Sequence, residues 1–113
     1  MNWFDYIAQH PHKNLNYNKL SRNPNITWDI VQNNQDRPWN YSELSRNPNI
    51  TWEHVCLNPD KKWDYNCLSE NPNITWDIVI NNPDCPWNYD VLSGNQMTEH
   101  PFFQTKQLRY LLK

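Results

Sequence analysis

The phrase Leu-Ser-Arg-Asn-Pro-Asn-Ile-Thr-Trp begins at Leu20, begins again at Leu44, and returns at Leu68 with Glu70 in its third place. The interval is 44 − 20 = 68 − 44 = 24 residues. A fourth start follows at Leu92-Ser93-Gly94-Asn95, and one period upstream of Trp28, Trp39 and Tyr41 stand Phe4, Leu15 and Tyr17. A unit of this length cannot enclose a core of its own, so it must bury its apolar side against its neighbours. The expectation is a single array over residues 1–95, made of four tandem units.

Each unit divides into two halves that run from a Trp to an Asn-Pro pair, as in Trp39 to Asn47-Pro48 and Trp52 to Asn58-Pro59. Thr27, Thr51 and Thr75 precede Trp and are placed to N-cap helices, with Asp29, Glu53 and Asp77 putting negative charge in the first turn. With those caps, Ile26 and Val31, Ile50 and Val55, and Ile74 and Val79 take the spacing of a hydrophobic staple. In the other half, Pro38-Trp39 and Pro86-Trp87 read as first helical turns, where a missing N–H costs nothing; Lys62 replaces the proline once. Asparagine before proline reads as a left-handed helix end followed by a stop. Trp28 with Val31, and Tyr41 with Leu44, then give helices of about two turns with one apolar stripe each.

The fold class expected is all-α: 24-residue hairpins of short helices stacked as an α-solenoid. A β reading has support in the turn pairs and in Ile-Thr-Trp, but no run alternates polar and apolar residues, and spacings of three and four favour helices. Residues 96–113 carry Phe102, Phe103, Leu108, Tyr110, Leu111 and Leu112 in an amphipathic pattern and read as a C-terminal capping helix.

Nine Pro and one Gly in 113 residues would suit a disordered chain, yet 14% of the residues are aromatic. Each buried Trp contributes roughly 3 kcal/mol, so the chain is expected to fold. The formal charge of −2 sets up no field toward nucleic acid or an anionic membrane. No stretch reaches 18 apolar residues, and Met1-Asn2-Trp3-Phe4-Asp5-Tyr6 has no signal-peptide pattern, which suggests a soluble, unsecreted protein. Cys56, Cys67 and Cys85, odd in number and unpaired in spacing, read as free thiols in a reducing compartment.

The run Leu-Ser-x-Asn-Pro-Asn-Ile-Thr-Trp-Asp-Ile-Val, followed by Asn-Asn-Pro-Asp-x-Pro-Trp-Asn-Tyr, resembles repeat proteins that giant viruses of amoebae, the mimivirus-like group, carry in many copies. The likeness spans roughly residues 3 to 95. It implies a viral protein in the cytoplasm of an infected host cell, engaging host or viral partners or packed in the virion. The likeness gives an origin and not a mechanism, since the family carries no settled biochemical activity. The unit holding His54, Cys56, Leu57, Lys62 and Cys67 departs most from the pattern.

Chemistry-bearing residues are sparse. Three cysteines and His54 raise a zinc site, but zinc ligands come in close pairs, and Cys56 and Cys67 are 67 − 56 = 11 apart. His10, His12 and His100 flank prolines and read as loop residues. No nucleophile motif is present and a single glycine leaves no phosphate loop, so neither cofactor nor catalysis is expected. Asn25, Asn49 and Asn73 read as a register of backbone-satisfying turn residues, and the six repeated tryptophans as core. Positions that differ between units are the candidates for contact with a partner: Lys19, Glu43 and Cys67; Arg22, Arg46 and Glu70; Gln32, Cys56 and Ile80. Of these Lys19, Arg22, Gln32, Glu43, Arg46 and Glu70 form the candidate surface for a protein partner. RNA reading through Arg22, Arg46 and nearby aromatics is the rival, weakened by the charge. Self-association through the repeat ends, as in a particle component, is a third reading.

Overall fold

The computed structural model describes residues 3–9 and 15–95. The tail 96–113, where a capping helix is expected, lies outside the described residues, as do His10, His12 and His100. The helices are α1 (Trp3–Ala8), α2 (Tyr17–Arg22), α3 (Trp28–Gln32), α4 (Tyr41–Arg46), α5 (Trp52–Leu57), α6 (Tyr65–Leu68), α7 (Trp76–Asn81) and α8 (Tyr89–Ser93). No strand occurs among the described residues, and each 24-residue unit contributes one pair of helices to an all-α stack. Within it α4 packs on α2, and α6 on α4. The longest helices have six residues, less than two turns, and alone would not survive the cost of nucleation. Their ends and their packing hold them.

Thr27, Thr51 and Thr75 cap α3, α5 and α7, their hydroxyls accepting the N–H of Ile30, His54 and Ile78 at 3.3, 3.4 and 3.4 Å. In the other row the caps are Asn16, Asn40, Asp64 and Asn88, accepting from Lys19, Glu43, Cys67 and Val91 at 3.1, 3.0, 3.2 and 3.1 Å. This corrects the sequence reading of Pro38-Trp39 and Pro86-Trp87: α4 and α8 start two residues after the tryptophan, because a side-chain acceptor is available only at Asn40 and Asn88. The asparagines before proline are not left-handed either. Asn47 has φ −70 and ψ 127, and Asn82 has φ −132 and ψ 58, since the proline ring already drives the preceding residue toward extended backbone.

The core runs the length of the stack as one cluster, from Phe4 to Leu92. Ile26, Val31, Leu44, Ile50, Val55, Leu68, Ile74, Val79 and Leu92 repeat at fixed places in it, and none is more than 4% exposed. All three staple pairs are therefore inside, and burial of each such side chain contributes about 1.5–3 kcal/mol relative to exposure.

Candidate interaction surface and the junctions beneath it

The residues that recur without change are used up in holding unit to unit. After α2, α4 and α6 the chain turns through Asn-Pro-Asn-Ile: Ile50 N–H donates to Asn47 O at 3.0 Å, and Asn49 N–H to Asn47 Oδ1 at 2.9 Å. The carboxamide Nδ2 of Asn47 then reaches back into the preceding unit and donates to Ser21 O at 2.9 Å, Asn23 O at 3.0 Å and Ile26 O at 3.4 Å. Asn71 repeats this on Ser45 O, Asn47 O and Ile50 O at 2.9, 3.1 and 3.2 Å, and Asn95 on Ser69 O and Asn71 O at 2.9 and 3.0 Å. Asn49 and Asn73 add a second row, donating to Pro24 O and Ile26 O at 2.6 and 2.9 Å, and to Pro48 O and Ile50 O at 2.7 and 2.9 Å. Helix ends leave carbonyls without partners, and here the next unit supplies them.

Serine links the same junction from the other side. Ser21 Oγ donates to Tyr17 O at 2.6 Å and accepts from Asn40 N at 2.9 Å; Ser45 accepts from Asp64 N at 3.1 Å and Ser69 from Asn88 N at 3.0 Å. Aromatic rings complete it. Trp39 lies 5.4 Å from Phe4 and 5.1 Å from Tyr17; Trp63 lies 5.9 Å from Trp28 and 5.1 Å from Tyr41; Trp87 lies 5.3 Å from Trp52 and 5.2 Å from Tyr65. Each of these tryptophans is a wedge between two rings of the previous unit. Its indole N–H donates to Asn34 O, Asn58 O or Asn82 O at 2.9 Å, closing the end of the preceding helix.

Above these junctions the variable positions of α2, of α4 and of the turn after α6 meet. Arg22 Nε stands 2.7 Å from Glu43 Oε2, Glu43 Oε1 3.6 Å from Arg46, and Arg46 Nε 2.6 Å from Glu70 Oε2. Four of the six candidate residues thus form one strip of alternating charge across three units. The Glu70 hydrogen bond raises the Arg46 pKa despite partial burial. Lys19 is exposed on α2, alongside Arg22. Gln32 is not part of the strip: it closes α3, in the other row of helices. Such exposed pairs contribute about 0.2–1 kcal/mol each, so the strip is a minor element of stability.

The divergent third unit breaks a smaller link. Asn40 Nδ2 donates to Asn18 Oδ1 at 2.8 Å and Asn88 Nδ2 to Asn66 Oδ1 at 3.1 Å, but at the junction between them Asp64 and Ser42 take those places. An open hollow of about 450 Å³ lies there, lined by Ser42, Lys62, Trp63, Asp64, Tyr65, Asn66 and Pro86.

His54 is engaged within the stack. Its Nδ1 accepts Thr51 N–H at 3.0 Å and its ring stacks on Trp28 at 5.3 Å and 20°. Burial lowers its pKa from 6.5, against the opposing pull of Glu53 and Asp29. The folded state therefore binds fewer protons than the unfolded chain just below pH 6.5, and the stability His54 provides is complete above that pH and lost as pH falls through its folded value. Replacing it with the isoleucine found at position 78 should remove this dependence. In urea melts at about pH 7.5 and about pH 5, the wild-type midpoint should fall more than that of His54→Ile; equal falls would show that His54 is not the group responsible.

The three cysteines are free. Burial raises the Cys56 thiol and pushes Cys67 up to about 11, while burial and a hydrogen bond with Cys85 push Tyr65 up to about 12. Thiols so placed are protonated at neutral pH and poor nucleophiles. Among the described residues no three His, Cys, Asp or Glu side chains gather as a metal site would require, and no helix is long and apolar enough to cross a membrane. No family model matches the chain, and neither a curated protein nor a solved structure is similar to it at a significant level.

The sequence reading found the variable positions but missed the two junction roles carried by Asn47, Asn71 and Asn95 and by Ser21, Ser45 and Ser69, whose counterparts in the end units are Asn23 and Ser93. The signal was there: both residues are unchanged in all four units.

Proposed function

We propose that this chain is a non-catalytic repeat scaffold that presents a charged face to a protein partner, host or viral. The observation that carries this reading is the strip Arg22, Glu43, Arg46 and Glu70, with Lys19 beside it. Residues fixed by stacking are buried in the junctions, whereas these vary between units and line the surface of a stiff array at set intervals, Arg22 and Glu70 exposed and Glu43 and Arg46 half-buried. Alternating charge at fixed spacing selects a partner with the complementary order and rejects one that is out of step, so it serves specificity more than affinity. On this reading, and following the resemblance to giant-virus repeat proteins, the encounter belongs to the cytoplasm of an infected cell.

The test is capture from amoebal lysate by the native chain and by the double variant Arg22→Glu, Glu70→Arg. Both residues are exposed, so the variant should melt within a few degrees of the native chain. A partner retained by the first and lost by the second supports the strip; the same proteins on both, or none on either, overturns it.

A further inference from the structure

We infer that the two ends of the stack are complementary and that the chain associates head to tail with further copies of itself. This goes beyond the proposed strip and does not depend on it.

Every junction inside the molecule has the same two sides. The trailing side offers a cleft between an aromatic ring of the first helix, Phe4, Trp28 or Trp52, and a tyrosine of the second, with the serine hydroxyl and its carbonyl beside it. At the last described unit these are Trp76, Tyr89 and Ser93. Tyr89 is 57% exposed and Ser93 is exposed, whereas their counterparts Tyr65 and Ser69 are half-buried and buried. Asp90 stands exposed where Asn18 and Asn66 accept an amide from the next unit.

The leading side of a junction consists of the wedge residue, the cap that follows it, and the asparagine of the turn. In the first unit these are Leu15, Asn16 and Asn23, and Asn16 is exposed. Tyr6 is 59% exposed, where Ile30, its counterpart one unit later, is 8%. Repeating the internal junction between copies puts Leu15 into the cleft of Trp76 and Tyr89, in the place Trp87 holds between Trp52 and Tyr65. It puts Asn16 N–H on Ser93 Oγ, the Asn16 amide on the Asp90 carboxylate, and Asn23 Nδ2 on Ser93 O. An amide meeting a carboxylate at this junction makes a stronger bond than the amide pairs inside the chain. The contact joins two different faces, so it does not close on itself as a two-fold dimer would, and copies add in a line.

Sedimentation velocity of the full chain across a wide concentration range tests this. The weight-average coefficient should rise with concentration past the dimer value. Tyr89→Lys, at an exposed position, should abolish the rise while far-UV circular dichroism is unchanged. Leu15→Lys should abolish it too. Mixing these two variants should restore a dimer and nothing larger, because each keeps one intact face. Monomer at every concentration overturns the inference; so does association that survives Tyr89→Lys.

Discussion

Asn47→Ala should lower the melting temperature by about 12 °C or more, a loss out of proportion to three side-chain atoms. Asn47 is fully buried, and its amide donates to Ser21 O and Asn23 O and, at the longer distance of 3.4 Å, to Ile26 O. Its oxygen also holds Asn49 N–H. Removing it takes the partner from Ser21 O and from Asn49 N–H, at about 1–3 kcal/mol each, while Asn23 O keeps Ile26 N–H and Ile26 O keeps the Asn49 amide, so a total near 3 kcal/mol is expected. For a domain of this size about 4–8 °C is lost per kcal/mol. Asn47→Asp separates hydrogen bonding from packing. It keeps the shape but turns a carboxylate toward carbonyl oxygens, and should be at least as damaging as alanine. Thermal melts followed by circular dichroism decide between them: an aspartate variant close to native would show that the amide contributes only volume.

The second large effect is expected at the wedge. Trp39→Ala empties the space between Phe4 and Tyr17 and leaves Asn34 O without its indole donor, for a cost of about 3–5 kcal/mol. Trp39→Leu should recover roughly half of that, because Leu15 occupies the same place one unit earlier and packs against the core there. Urea midpoints of the two variants measure this, and near-equal losses would mean that the hydrogen bond, not the filled volume, dominates at this site. Since stability in an array is the sum of units and junctions, the damage should centre on the first two units and spread by coupling.

The period of 24 residues, the helical class, the threonine caps and the staple pairs were all open to inspection in the chain itself. Each is a local fact: a threonine before tryptophan with a carboxylate following specifies a helix start through its own backbone, and a repeated phrase has to stack on itself. The start of α4 was misread for the opposite reason. Pro38-Trp39 has the proline that suits a first helical turn, but the acceptor that caps α4 is Asn40, and Trp39, left outside the helix, fills the cleft between Phe4 and Tyr17, residues 39 − 4 = 35 and 39 − 17 = 22 positions away. Asparagine before proline misled in the same way. As a local signal it marks a helix end, while its amide is directed at carbonyls 24 and 26 residues upstream.

The partner surface divides along the same line. Variation between units picked out Arg22, Glu43, Arg46 and Glu70 without any knowledge of their places, because stacking leaves those positions unconstrained. That Arg46 bridges Glu43 and Glu70 while Gln32 stands apart follows from which helices share a row, and that is set by the side of the stack to which each half-unit turns. Spacing along the chain is a property of one strand of residues and can be read from it. Adjacency across units depends on the rotation from each unit to the next, which no single unit specifies and which emerges only when wedge, amide and serine are satisfied together.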